Sequence, residues 1–324
     1  MCDTKYRREG TVMANVMVTG ALGRIGREVV RKLTEKKHQV FAVDTQYCPR
    51  ADDEYFHYTS CELTDEAVIT GIMNDHDIDT VVYISFTCDN DIEGIVGDTE
   101  IKKSKIVDKY IYAAAAKANV KNFILTSTTQ IYGIQKGREP IRESSSEKGT
   151  SYYSDLKMYS EKMLLKAFKR TDCVPVIARL APIYAPNYED NLREHVYDRK
   201  TNSAYIYGEG SYHFSFCSVF NYVDFIVGIV NIPSGRYEGL YNICDKENLT
   251  AKQLLDFGIE SFRIGTPEVR NPPKIVSFNK SRGRNDYKYF DPEAALANWT
   301  YDTTKAQRIS TFRWDLKKTM DMRD

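Results

Sequence analysis

The sequence predicts an α/β fold: a doubly wound parallel sheet with a smaller C-terminal substrate-binding lobe. Three observations carry that expectation. Short β-branched runs alternate with helical patterns through the first half of the chain. Those runs are apolar throughout, as strands buried on both faces are, and helical crossovers between them make the sheet parallel. The first run also passes directly into a glycine turn and a helix, in Val16-Met17-Val18-Thr19-Gly20-Ala21-Leu22-Gly23-Arg24-Ile25-Gly26.

Residues 1–12 are polar, carry Lys5, Arg7 and Arg8, and lack the apolar stretch of a signal peptide. They read as a loose tail, with Met13 an alternative start. Val16 to Thr19 forms strand one, and Glu28 to Leu33 lies on the helix after it. Gln39 to Asp44 forms strand two. Thr80 to Ile84 and Asn122 to Thr126 supply two more, separated by an alanine-rich helix around Ala113–Ala118. Val174 to Arg179 is a further strand, and residues 13–180 then make up the main sheet domain. From Pro182 onward prolines, tyrosines and polar residues dominate. Helices are expected at about Tyr222–Ile232 and Ala251–Phe262, a late strand at Leu240–Ile243, and a loop over Gly265 to Arg284. Residues 181–324 are expected to be mainly the smaller lobe, with elements that return to the sheet.

Composition narrows the function classes. Lys+Arg 45 against Asp+Glu 45 gives no reason to expect a polyanion such as nucleic acid as partner. No apolar run approaches the ~18 residues that span a bilayer, so no membrane partner is expected. The seven cysteines include no Cys-x-x-Cys, and the five histidines form no metal-ligand spacing with them. No metal site is expected, and free thiols in a reducing cytoplasm are the simplest reading.

The chemistry lies in a few motifs. Gly20 permits a tight turn after strand one, Gly23 lets the backbone approach a pyrophosphate, and Gly26 lets the helix pack closely on the sheet. The helix start, with Arg24 and Ile25, then offers N–H groups and a positive dipole end to phosphates. This is a dinucleotide site. Asp44 ends strand two, where a carboxylate binds ribose hydroxyls and repels a 2′-phosphate, so NAD is favoured over NADP. Arg24 keeps NADP open. Glu62 and Leu63 follow another short segment and are placed near the adenine. Tyr153 and Lys157 stand one helical turn apart on one face. An ammonium beside a phenol favours the phenolate, which makes a tyrosine general base accessible near neutral pH. Lys157 is also placed to hold the nicotinamide ribose. The run Leu125-Thr126-Ser127-Thr128-Thr129-Gln130-Ile131-Tyr132-Gly133 ends a strand in hydroxyl residues, at the carboxyl end of the sheet where ligands bind.

These residues resemble the extended short-chain dehydrogenase/reductase superfamily, specifically its NAD-dependent epimerase/dehydratase group, which has a Rossmann sheet. The resemblance runs through Thr19-Gly20-x-x-Gly23-x-x-Gly26, the strand ending Ile131-Tyr132-Gly133, Tyr153-x-x-x-Lys157, Arg179-Leu180-Ala181-Pro182-Ile183-Tyr184-Ala185-Pro186, and Tyr301-Asp302-Thr303-Thr304-Lys305-Ala306 with Phe312-Arg313-Trp314. It implies an enzyme in which Thr128 is the catalytic Ser/Thr, 25 residues before Tyr153, with Ser127 the neighbour that is easily confused with it. It also implies that Ser85 lies near the cofactor pyrophosphate, that Thr128, Thr129 and Asn187 meet substrate, and that Arg282 and Arg284 bind a diphosphate.

Where dehydratases of this group read Thr-Asp-Glu, this chain has Thr128-Thr129-Gln130. Thr and Gln cannot do carboxyl acid–base work, so dehydration and decarboxylation are disfavoured. The leading expectation is an NAD-dependent nucleotide-sugar epimerase that transiently oxidises a ring hydroxyl. The alternatives are a net dehydrogenase or reductase of a nucleotide sugar or smaller hydroxy substrate, and a non-catalytic dinucleotide-binding protein. Family departures include Phe86, Pro182, Ala185 and Asn221. The resemblance further implies a homodimer built on the alanine-rich helix and the Tyr153 helix.

Overall fold

The computed structural model describes residues 13–84, 98–135, 137–149, 151–232, 237–262, 265–272 and 294–322. Its first half alternates strand and helix: β1 (Asn15–Thr19), α1 (Gly26–Glu35), β2 (Gln39–Asp44), β3 (Phe56–Ser60), α2 (Glu66–Asp75), β4 (Thr80–Tyr83), α3 (Asp98–Lys117), β5 (Asn122–Thr128), α4 (Tyr152–Phe168) and β6 (Val174–Leu180). The second half contains β7 (Ile183–Tyr184), α5 (Asp190–Glu194), β8 (Tyr197–Asp198), β9 (Ser203–Tyr207), β10 (His213–Phe214), β11 (Cys217–Ser218) and α6 (Val219–Val230). It closes with β12 (Gly239–Ile243), β13 (Leu249–Thr250), α7 (Ala251–Phe262), β14 (Glu268–Arg270) and α8 (Leu316–Met320).

Seven strands form one parallel sheet in the order β12-β6-β5-β4-β1-β2-β3. Strand order reverses beside β1, so the carboxyl ends of β1 and β4 open a crevice there. The side-chain period of two divides the sheet residues between two cores. Val16, Val18, Val40, Val82, Ile124 and Val176 pack with α1 and α6 on one face. Met17, Val81, Tyr83, Phe123, Leu125 and Ile177 pack with α2, α3 and α4 on the other. A third core, with Tyr205, Phe214, Phe216 and Leu254, fills the smaller lobe.

Two expected elements change extent. The alanine-rich helix is longer than its alanines, because Ser104, Val107, Asp108, Ile111, Tyr112 and Ala115 already form a buried stripe at helical spacing. The expected loop from Gly265 contains β14, which pairs in parallel with β9. Arg270 anchors that strand, donating to Asp198 at 2.9 Å and lying 4.8 Å from the Tyr205 ring centroid. Such a strand is created by its partner edge and has no local signature. Residues 273–284 of that expected loop, like the N-terminal tail, lie outside the described residues.

Two elements beyond residue 180 belong to the main sheet assembly. β12 extends the sheet beside β6, and α6 packs with α1 over one face.

Candidate active site

The crevice at the end of β1 is built on glycines, two of which leave no unstrained place for a side chain. Gly20 has φ +59°, a backbone conformation that strains any side chain. A Cβ on Gly26 would lie 2.0 Å from the Gly20 carbonyl oxygen. The Gly23 N–H donates to that same oxygen at 3.1 Å and closes the turn. The side chain of Asp65 caps α2, and a reciprocal Ser151–Ser154 box caps α4. At α1, by contrast, no side-chain cap is present among the described residues. A helix start left uncapped beside a close-packed glycine turn is the geometry that receives an anion.

Asp44 stands at the end of β2 beside this turn. One carboxylate oxygen accepts from the Leu22 N–H at 2.9 Å, the other from Thr45 N–H at 2.7 Å. Both oxygens are therefore held in place with lone pairs to spare. A cavity next to Asp44 is lined by Gly20, Glu62, Leu63, Tyr83, Lys103 and Val107, among others. Glu62 pairs there with Lys103 at 3.2 Å. Gly20, Asp44, Glu62 and Leu63 thus share one pocket, and Lys103 and Tyr83 are lining residues that sequence reasoning missed. The conformation and donor set fit a dinucleotide: a cradle that a Cβ would fill, then a fixed carboxylate, then an apolar slot.

Arg24 leaves the turn toward the smaller lobe. Its guanidinium lies 4.3 Å from the Tyr188 ring centroid and 3.8 Å from an Asp190 oxygen. Ile25 is buried at the start of α1, while Ser85 lies outside the described residues.

The second half of the site sits at the carboxyl end of β5. Lys157, 3 % exposed, donates from Nζ to the Thr126 carbonyl at 3.0 Å. Tyr153 is one turn earlier on α4, with the Lys157 Nζ 5.8 Å from its ring centroid. Thr128 ends β5 two residues beyond Thr126 and caps the short turn Thr129–Tyr132, accepting from the Gln130 N–H at 3.2 Å. Strand alternation separates the three hydroxyl residues. The Thr126 hydroxyl meets Tyr222 at 2.6 Å, on the α6 side. The Ser127 hydroxyl is committed to Glu161 on α4 at 2.5 Å, so it is not interchangeable with Thr128. Thr129 is almost fully buried, and Asn187 is exposed just beyond β7. Arg282 and Arg284 lie outside the described residues.

Buried polar groups surround this set. Asp108 on α3 accepts from Tyr83 Oη at 2.8 Å and from Ser160 Oγ. Burial raises its pKa, while those two hydrogen bonds and the nearby Lys157 charge pull it down. Arg179, on β6 opposite Ser127, reaches Glu161 through two bonds of 3.0 and 2.6 Å and Glu147 at 2.5 Å. Glu161 repeats the spacing of Tyr153 and Lys157 by four more residues, the one sequence signal that would have found it. Further away, Asn221 bridges Asp245 at 2.7 Å and the Trp314 carbonyl at 2.8 Å. An Asp at 221 would set two buried carboxylates side by side, so the amide there follows from Asp245.

Comparison with known proteins agrees with this architecture. Over 162 residues, 48 % of this chain, it is 27 % identical to a UDP-glucose 4-epimerase of Lactobacillus helveticus, and the match spans 47 % of that enzyme, about half its length. A UDP-glucose 4-epimerase of Thermotoga maritima, solved with UDP-glucose, superposes with a TM-score of 0.70 at 20 % identity, over 94 % of this chain and 96 % of that one. A UDP-glucuronic acid 4-epimerase of Bacillus cereus, solved with UDP-glucuronic acid and NAD, gives 0.69 at 16 % identity, over 94 % and 96 %. At those identities the structures establish a shared fold. The family model described as NAD dependent epimerase/dehydratase matches residues 16–244, glycine turn, β5 and α4 included, and the chain belongs to that family of enzymes.

Proposed function

We propose that the protein is an NAD-dependent epimerase of a nucleotide sugar, with Tyr153 as general base, Lys157 as its electrostatic partner and Thr128 as hydrogen-bond donor to the reacting oxygen. The observation that carries this reading is the seating of Lys157. A buried ammonium fixed to the Thr126 carbonyl keeps a positive charge beside Tyr153, at the end of the strand that presents Thr128. The Gly20–Gly26 cradle and Asp44 support NAD as cofactor, and the UDP-sugar epimerases of the same fold support a UDP-sugar substrate.

In this mechanism Tyr153 takes the proton of a ring hydroxyl as its carbon is oxidised. Thr128 holds the same oxygen in place. Lys157 stabilises the phenolate and holds the nicotinamide ribose. The bound dinucleotide supplies reversible hydride acceptance. Once the keto sugar has turned its other face to the cofactor, hydride would return to the ring carbon and Tyr153 would return the proton to the oxygen, giving the epimer with no net redox change. Thr129 and Gln130 are neutral where dehydratases of this group carry Asp and Glu, which favours epimerisation over water elimination.

The test is incubation with UDP-glucose or UDP-glucuronic acid, following the sugar by proton NMR and the solution at 340 nm. The expected product is the epimer, without accumulating NADH. Tyr153→Phe should lose about 10²–10⁴-fold in turnover while denaturation still releases its dinucleotide. Stoichiometric NADH, or a dehydrated keto sugar, would overturn the epimerase reading. Full activity of Tyr153→Phe would overturn the site itself.

A further inference from the structure

We propose that Arg179, Glu161 and Ser127 form a buried clasp that sets the catalytic helix against β5, making them positioning residues for Tyr153, Lys157 and Thr128. The inference rests on the reading of the site given above.

The clasp joins the segments that carry Tyr153, Lys157 and Thr128. Ser127 and Arg179 face each other in the β5–β6 register, one residue before Thr128. Glu161 lies four residues after Lys157 and eight after Tyr153, on the same stripe of α4. Its Oε1 receives Ser127 Oγ at 2.5 Å and Arg179 Nε at 3.0 Å, and its Oε2 receives Arg179 Nη2 at 2.6 Å. The same Nη2 reaches Glu147, in the segment leading into α4, at 2.5 Å. The guanidinium also lies 4.9 Å from the ring centroid of Tyr132, in the turn that Thr128 caps. One side chain thereby ties together the end of β5, the turn after it, the approach to α4 and α4 itself.

Stability alone does not account for this arrangement. The Arg179 and Glu161 side chains are only 3 % and 6 % exposed, and a buried ion pair is generally matched or exceeded by apolar packing of the same volume. What it adds is direction. A bidentate pair fixes rotation and translation of a helix more sharply than apolar contacts do. Proton transfer depends on distances that a 1 Å displacement spoils. Ser127 shares the carboxylate, so the strand residue beside Thr128 and the helix residue beyond Lys157 move as one.

The experiment uses the full chain. Ser127→Ala removes one hydrogen bond and leaves the Arg179–Glu161 pair, so it should fold, with bound dinucleotide and Tm close to wild type. On whichever of UDP-glucose and UDP-glucuronic acid the wild type turns over, kcat should fall at least tenfold with KM within twofold. Ser127→Thr should restore most of it. A second readout needs no substrate. In protein labelled at the tyrosine ring carbons, the Tyr153 resonance, assigned by its loss in Tyr153→Phe, should titrate at higher pH in Ser127→Ala and Glu161→Gln than in wild type, because the phenol has moved from the Lys157 ammonium. An unchanged Tyr153 titration with kcat within twofold overturns the clasp. So does a loss of kcat that merely follows a loss of Tm or bound dinucleotide. If Tyr153→Phe is itself fully active, it is the catalytic reading that fails, a result distinct from either.

Discussion

Replacing Gly26 by alanine sets two known effects against each other at one atom. Gly26 begins α1, where alanine favours helix by up to about 1 kcal/mol. Its Cβ, however, would lie 2.0 Å from the Gly20 carbonyl oxygen and 2.8 Å from the Ala21 Cα. Both obstacles are backbone, so no rotamer change relieves them, and overpacking of this kind costs about 1–3 kcal/mol or more. The clash therefore outweighs the propensity. Gly71 in α2 is the control: a Cβ there meets nothing within 4 Å, so Gly71→Ala should stabilise by up to about 1 kcal/mol. At about 2–4 °C per kcal/mol, Tm should fall by several degrees in Gly26→Ala and rise by a few in Gly71→Ala. Thermal unfolding of dinucleotide-stripped protein, repeated with added NAD, reads both effects. NAD should raise the Tm of wild type and of Gly71→Ala but not of Gly26→Ala, whose turn has been displaced. A Gly26→Ala protein that is more stable than wild type and keeps its full NAD-dependent shift would refute the close-approach argument.

Other outcomes follow from the same structure. Asp44→Ala removes a carboxylate fixed by three backbone N–H groups, those of Leu22, Thr45 and Gln46; NAD should bind at least about tenfold more weakly, the scale of hydrogen bonds to a charged group, and discrimination against NADP should relax, both by titration of stripped protein. Preference of the wild type for NADP would count against that assignment. Burial pushes the Asp245 carboxyl up to about 7 and that of Glu194 likewise to about 7. In the unfolded chain both ionise near pH 4, so the native state binds more protons between about pH 4 and 7, and stability should fall as pH rises through that window. His195, which burial lowers to about 4, works in the other direction, its contribution being lost as pH falls from about 6.5 through 4. Asp245→Asn isolates one group, because an amide can still meet Tyr184, Ser218 and Asn221. Relative to wild type the variant should gain stability between pH 5 and pH 8 in urea unfolding, and a pH-independent difference would contradict the buried-acid account.

Local chemistry determined a large part of this protein. A β-branched run, three glycines and the start of a helix lie within eleven residues, so the tight strand–turn–helix passage was legible from spacing alone. Tyr153 and Lys157 are separated by one helical turn, and helix geometry puts them on one face whatever surrounds them. The parallel sheet was readable because strands buried on both faces must be apolar throughout. Pairing across the chain decided the rest. Ser127 and Thr128 are alike in sequence, and only the β5–β6 register with α4 behind it sends one to Glu161 and leaves the other at the strand end. Arg179 and Glu161 are 18 residues apart, and Asn221 and Asp245 are 24 apart, so neither partnership has a local period to betray it. β14 exists because β9 offers it an edge, and β12 joins the main sheet because β6 does. A sequence encodes the interactions of near neighbours directly. Distant partners become visible only when the folded chain brings them within hydrogen-bonding reach.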